Sequence, residues 1–181
     1  MAKLISKTYG DALFELAVEE NKVDALFDEI QQLKEILKEN DEFGRLMEHP
    51  KIIKEEKLEV LNNVFKGKIS DELLGFMTVV ISKDRYQEMD EILEYFIMEV
   101  KKYKGIGVAT VTTAIPLREE QRTKIERRLL DTTKYKSMEM HYKQDAALIG
   151  GMVIRIGDRV VDSSISTKLN ELQKDLLRVQ I

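Results

Sequence analysis

Residues 145–162, DAALIGGMVIRIGDRVVD, constrain the fold of this chain more tightly than any other stretch. Met152, Ile154 and Ile156 alternate with Val153, Arg155 and Gly157, the period of two expected of a strand with one wetter face. Gly157-Asp158 then separates it from a second β-rich run, Arg159-Val160-Val161. Two residues that tolerate positive φ between β-branched runs predict a tight hairpin. Gly150-Gly151 removes two side chains just before the strand, where the backbone must bend or another element must come close. Ser163 or Ser164 can supply the N-cap oxygen of a closing helix. The tail therefore reads strand, turn, strand, helix.

Everything before residue 104 reads differently. The spacing predicts helices over 5–20, 22–39, 54–65, 72–82 and 85–104, with a short turn after Asn40-Asp41 running through Met47. His49-Pro50 is a break, because the residue before proline is pushed out of the helical region. Gly67 stands where a helix C-terminus commonly ends, and Ser70 or Asp71 can cap the helix that follows. Lys101, Lys102 and Lys104 suit the C-terminal end of the long helix over 85–104. Gly105 and Gly107 then break the pattern, and the domain boundary is placed there, giving units over 1–104 and 105–181. The second unit opens with a β-branched strand over 108–115. A charged helix over 117–131, a strand over 135–143, the hairpin and a helix over 164–179 follow. The expected architecture is two-domain, α then α+β: a six-helix bundle, then a small α/β module of about four strands and two helices.

Two of these helices carry more apolar surface than one packed face requires. On helix one, Ile5, Tyr9, Ala12 and Leu16 form one stripe; Leu13, Phe14, Ala17 and Val18, with Gly10, form a broader second one. Which of the two faces inward is open at this level. On helix five, Leu73, Leu74, Met77, Val80 and Ile81 form one face, and Gly75, Phe76 and Val79 another. Each surplus face has a small residue in it. A groove shared by the two helices would accept an amphipathic helix from another chain.

Charge and motifs exclude several functions. The 181 residues have a net charge of −4, which argues against nucleic acid as the main ligand. The charge is uneven: residues 1–104 hold 16 basic against 23 acidic side chains, net −7, and residues 105–181 hold 13 against 10, net +3. That asymmetry points to two surfaces for different partners. There is no Cys for a disulfide or thiolate metal site, and no apolar run of the roughly 18 residues a membrane span needs. The N-terminus does not read as a signal peptide. His49 and His141 fall in different units, and neither has the partner spacing of a metal site. Gly150-Gly151 is followed by a strand, whereas an anion-binding loop needs a helix N-terminus. No catalytic constellation, cofactor motif or metal set is expected.

Three stretches together resemble a known family. Residues 9–17, YGDALFELA, resemble the first helix of the delta subunit of F-type ATP synthase, with Gly10 where Ala is usual. His49-Pro50-Lys51-Ile52 leading into Lys57 resembles its helix break, and residues 145–162 resemble its C-terminal signature. The mitochondrial oligomycin-sensitivity-conferring protein is similar. The resemblance implies a non-catalytic stator subunit, peripheral to the cytoplasmic face of a bacterial membrane and associated with that membrane only through the complex. It implies that the N-terminal bundle binds the N-terminal helix of an alpha subunit between helices one and five, and that the C-terminal module binds the b subunits of the peripheral stalk. Carried over by position, the groove would take Ile5, Tyr9, Ala12 and Leu16 from helix one and Gly75, Phe76 and Val79 from helix five. A free-standing helical adaptor is the alternative reading of the same groove, and an enzyme concealed in the α/β module is the second.

Overall fold

The computed structural model describes residues 2–178, without the side chains of Ala2 and Lys3. The chain divides into two compact units, Met1–Val100 and Lys101–Ile181.

The first unit is helical: α1 (Ala2–Glu19), α2 (Val23–Glu39), α3 (Asp41–Glu48), α4 (Lys54–Phe65), α5 (Asp71–Ser82), a single 3-10 turn (Tyr86–Glu88) and α6 (Met89–Lys104), whose last turn belongs to the second unit. The expected turn after Asn40 is thus a full helix, and the expected single helix over 85–104 is a 3-10 turn followed by α6. Leu13, Ala17, Leu26, Ile30, Leu33, Leu61, Leu73, Met77, Ile92, Leu93 and Phe96 form one sealed core. The 3-4 spacing that predicted the helices also selected most of this core. Ile36 of α2 and Val64 of α4 keep the apolar spacing that predicts burial, yet stand 50% and 38% exposed. Lys57 is buried in their neighbourhood of the sequence instead, its stem covered by the packing.

The second unit is built on a mixed sheet in the order β2-β1-β3-β4, with β1 (Ile106–Thr113), β2 (Ser137–Gln144), β3 (Met152–Ile156) and β4 (Arg159–Asp162). Helix α7 (Glu119–Thr132) carries the chain from β1 to a parallel β2. β3 pairs antiparallel on the other side of β1, and β4 antiparallel with β3. Helix α8 (Ile165–Arg178) closes the described chain. The predicted last helix ran to Val179, which lies outside the described residues.

Gly107 corrects the reading of both glycines as a break. Gly105 turns the chain at φ +73°, but Gly107 sits inside β1, and a Cβ there would meet Met138 Sδ at 2.4 Å. Met138 and Tyr135 lie over it, so the position is small for packing and not for flexibility. The strand accordingly starts two residues before the predicted Val108 and stops before Ile115, which is 73% exposed. β1 is the central strand, alternating half-buried and buried, with Ala109, Val111 and Thr113 inward.

The hairpin has the predicted two-residue loop, with Ile156 opposite Arg159. Positive φ falls on Gly157 alone, at 55°, the glycine-first pattern of a II′ turn. The Gly-Gly pair is explained by the close approach of the residues that open α8. A Cβ on Gly150 would meet Ile165 Cδ1 at 2.8 Å, and one on Gly151 would meet the Ser163 carbonyl oxygen at 2.4 Å. Gly151 also has φ +76°. Ser164 is the N-cap, its hydroxyl accepting from Thr167 N at 3.2 Å. Asp162 reinforces it, accepting from Ser164 N and from the Thr167 hydroxyl, each at 2.8 Å.

Candidate functional site

The apolar stripes of α1 part company in the structure. Leu13 and Ala17 are fully buried, and Gly10 is buried beneath Tyr95 of α6. A Cβ on Gly10 would lie 2.4 Å from Tyr95 Cδ1. The phenol reaches past it to donate to Asp11 Oδ1 at 2.9 Å, and burial together with that carboxylate pushes the tyrosine up to about 12. The gap that Gly10 leaves in α1 is therefore filled by the chain's own aromatic ring. The broader stripe is the inward one.

The other stripe is left open. Tyr9, Ala12 and Leu16 of α1 face Gly75, Phe76 and Val79 of α5 across a groove of about 760 Å³. Tyr9 and Phe76 meet edge to face, centroids 6.5 Å apart at 73°. Leu13 lies beneath them and contributes to the lining. Val79 is 49% exposed, Ala12 is exposed, and a Cβ on Gly75 would meet nothing within 4 Å. Of the seven positions taken from the sequence, Ile5 alone is not part of the lining; it is half-buried further towards the start of α1.

Local chemistry fixes the two walls. Ser70 caps α5, its hydroxyl accepting from Leu73 N at 3.4 Å and donating to Glu29 Oε2 of α2 at 2.7 Å. Lys22, just after α1, pairs with Glu72 in the first turn of α5. The shared hydrogen bond holds the Lys22 ammonium above its ordinary range and the Glu72 carboxyl below its own. The Lys22–Glu72 pair ties the C-terminal end of α1 to the N-terminal end of α5, and the Ser70–Glu29 contact ties α5 to α2, so both walls are held from within the unit.

Thr8, Glu15, Glu19, Asp71 and Glu72 also line the groove and were not singled out from the sequence. Glu15 and Glu19 were legible in principle, since they continue the Ala12 edge of α1 by three and seven residues. A search for apolar residues alone passes over them. The histidines play no part here. His49 is exposed and accepts from Lys51 N, while His141 lies 2.9 Å from Glu139 on β2. Among the described residues no group of three His, Cys, Asp or Glu side chains is placed to hold a metal ion, and no helix is long and apolar enough to cross a membrane.

The fold is a helical unit carrying an open apolar groove, joined to an α/β module built on a mixed sheet. Comparisons with known proteins give its family. Residues 5–176 match the model of the ATP synthase delta (OSCP) subunit family, and the chain belongs to that family. It is 49% identical over 181 residues to the ATP synthase subunit delta of Lachnoclostridium phytofermentans, covering 100% of both chains. It is 32% identical over 179 residues to that of Clostridium botulinum, covering 98% of this chain and 99% of the relative. In fold it is similar to a chain of the Toxoplasma gondii mitochondrial ATP synthase hexamer, with a TM-score of 0.74, 22% identity, and 95% and 97% coverage. The protein is thus a non-catalytic, structural subunit of an F-type ATP synthase, and its partners are other subunits of that complex.

Proposed function

We propose that this subunit is the stator link between the catalytic head and the peripheral stalk. Its helical unit acts as a six-helix bundle, residues 1–104, whose α1–α5 groove takes the N-terminal helix of an alpha subunit. Its α/β module, residues 105–181, holds the b subunits. The rotating central shaft exerts torque on the head, and unless the head is held to the membrane-embedded stator the whole assembly turns and the proton gradient is dissipated. The subunit resists that torque without touching nucleotide, at the cytoplasmic face of the membrane and bound to it only through the complex.

The observation that carries this reading is the open groove lined by Tyr9, Ala12, Leu16, Gly75, Phe76 and Val79. An amphipathic helix laid there removes apolar area from water on both partners, and a preformed groove loses little entropy in receiving it. A second surface supports the division of labour. Ile165, Leu169, Leu172 and Leu176 recur at 4-3-4 spacing along α8, and they are 43%, 52%, 59% and 70% exposed. Beyond Ile165, which packs near Gly150, the seam's leucines stand exposed among the described residues.

One paired experiment tests both assignments. Val79→Asp in the full chain is expected to weaken binding of an alpha N-terminal peptide at least about ten-fold, because it places a charge in an apolar site. It should leave b-subunit capture intact. Leu172→Asp is expected to do the reverse. Unchanged peptide affinity in Val79→Asp removes the groove from the function, and unchanged b capture in Leu172→Asp removes α8.

A further inference from the structure

The groove is not uniformly apolar along its length. α1 and α5 run antiparallel beside it: Tyr9 meets Phe76 towards one end, and Lys22 meets Glu72 at the other. The Lys22 end gathers Glu15 and Glu19 from α1 with Asp71 and Glu72 from α5. The Tyr9 end offers Thr8, Tyr9, Phe76 and Val79, none of them charged. Among the described residues no lysine, arginine or histidine lines the groove. Lys22 answers Glu72 and lies 3.9 Å from Glu20. Glu15, Glu19 and Asp71 are exposed around the groove.

Backbone dipoles do not cancel this charge. The carboxyl end of α1 and the amino end of α5 lie side by side there, so their opposite partial charges offset one another. The side chains set the sign, and the sign is negative. A visiting helix therefore meets an uncharged apolar wall at one end and a carboxylate cluster at the other.

We propose that the groove is polarised: it accepts its partner helix in one direction, with a cationic end of that helix held between Glu15 and Glu19 of α1 and Asp71 of α5. The inference rests on the docking reading above and adds to it the chemistry and orientation of the occupant. The apolar floor supplies affinity, whereas the carboxylates supply direction and speed of encounter, the usual division between buried contacts and charges around an interface. The reversed helix would leave its cations over the apolar end and the carboxylates unanswered.

The test uses the full chain and a synthetic peptide of the alpha-subunit N-terminal helix, titrated by calorimetry at about 0.05 M and about 0.5 M NaCl, where screening lengths differ several-fold. Glu15→Gln/Glu19→Gln keeps size and removes two exposed charges. It is expected to weaken binding about five-fold at low salt, the scale of exposed charge pairs, and to match the parent at high salt. A nitroxide on the cationic end of the peptide should broaden the Glu19 and Asp71 amide resonances and spare Thr8 and Val79. Equal affinity of parent and double variant at both salt concentrations overturns the polarity, as does broadening at Thr8 and Val79 instead. If either result comes with Val79→Asp still abolishing binding, the groove stands and only its polarity falls. If the parent fails to bind the peptide at all, both readings fall.

Discussion

The two units use apolar residues in opposite ways. The helical unit seals aromatic and aliphatic side chains from four or more helices into one core, with Phe96, Leu93, Ile30 and Leu13 fully inaccessible. The sheet unit buries Ala109, Val111 and Met138, and no residue of α7 or α8 is buried among those described. What organises the sheet unit is backbone contact: the central β1, the Gly150-Gly151 approach to α8, and the cap made by Asp162 and Ser164. The helical unit can therefore leave a groove open on its surface because its core lies elsewhere. The sheet unit leaves its last helix's leucines exposed because its order does not depend on them.

The largest test of this contrast is Gly151→Ala. The new methyl would fall on the Ser163 carbonyl oxygen and the residue would keep a positive φ, so a loss of about 2–3 kcal/mol is expected. Hydrogen exchange should show lost protection confined to β3, β4 and α8. Lost protection in α1–α5 instead would break the division into separately organised units. Gly75→Ala probes the opposite situation. Its Cβ meets open space, so helix propensity should raise stability by about 0.5–1 kcal/mol in urea unfolding. The same methyl narrows the groove, and alpha-peptide affinity should drop. Unchanged stability would mean that Gly75 is less free than its surroundings indicate.

The smallest expected effect is in acid. Hydrogen bonds from Ser164 and Thr167 hold the Asp162 carboxyl below its ordinary value of 3.8. The folded state thus favours the ionised form, and the cap's contribution is complete above pH 3.8 and is lost as the pH falls from there through the lowered value. Exchange at the Ser164 and Thr167 amides should quicken over that range. Asp162→Asn should remove the pH dependence, and its persistence would move the cause to another carboxylate.

Much of this was legible in residue spacing. The hairpin, the Gly-Gly approach and the two-faced character of α1 and α5 follow from periodicity and from which residues lack bulk, whereas the six facing residues of the groove were taken from the family resemblance. Gly10 and Gly75 mark the limit. Both are glycines in the apolar stripes of helices, and both read as places where another helix could come close. One is occupied by Tyr95, from a residue 85 positions away, and the other is empty. Nothing local distinguishes them. Gly107 failed for the same reason: its smallness answers to Met138, which only the parallel pairing of β1 with β2 brings over it. Ile5 continues the stripe towards the start of α1, where it is half-buried and no longer lines the groove.

Sequence alone determined where the chain is helical and where it is pleated, and which residues are too apolar to be left in water without a reason. Periodicity is a property of one element at a time, and it is written in neighbouring residues. Tertiary structure alone decided which of the two apolar stripes on α1 is spent on the core and which is left open. That choice depends on what packs across the gap, and the packing of Tyr95 over Gly10 is a contact between residues that no local pattern relates.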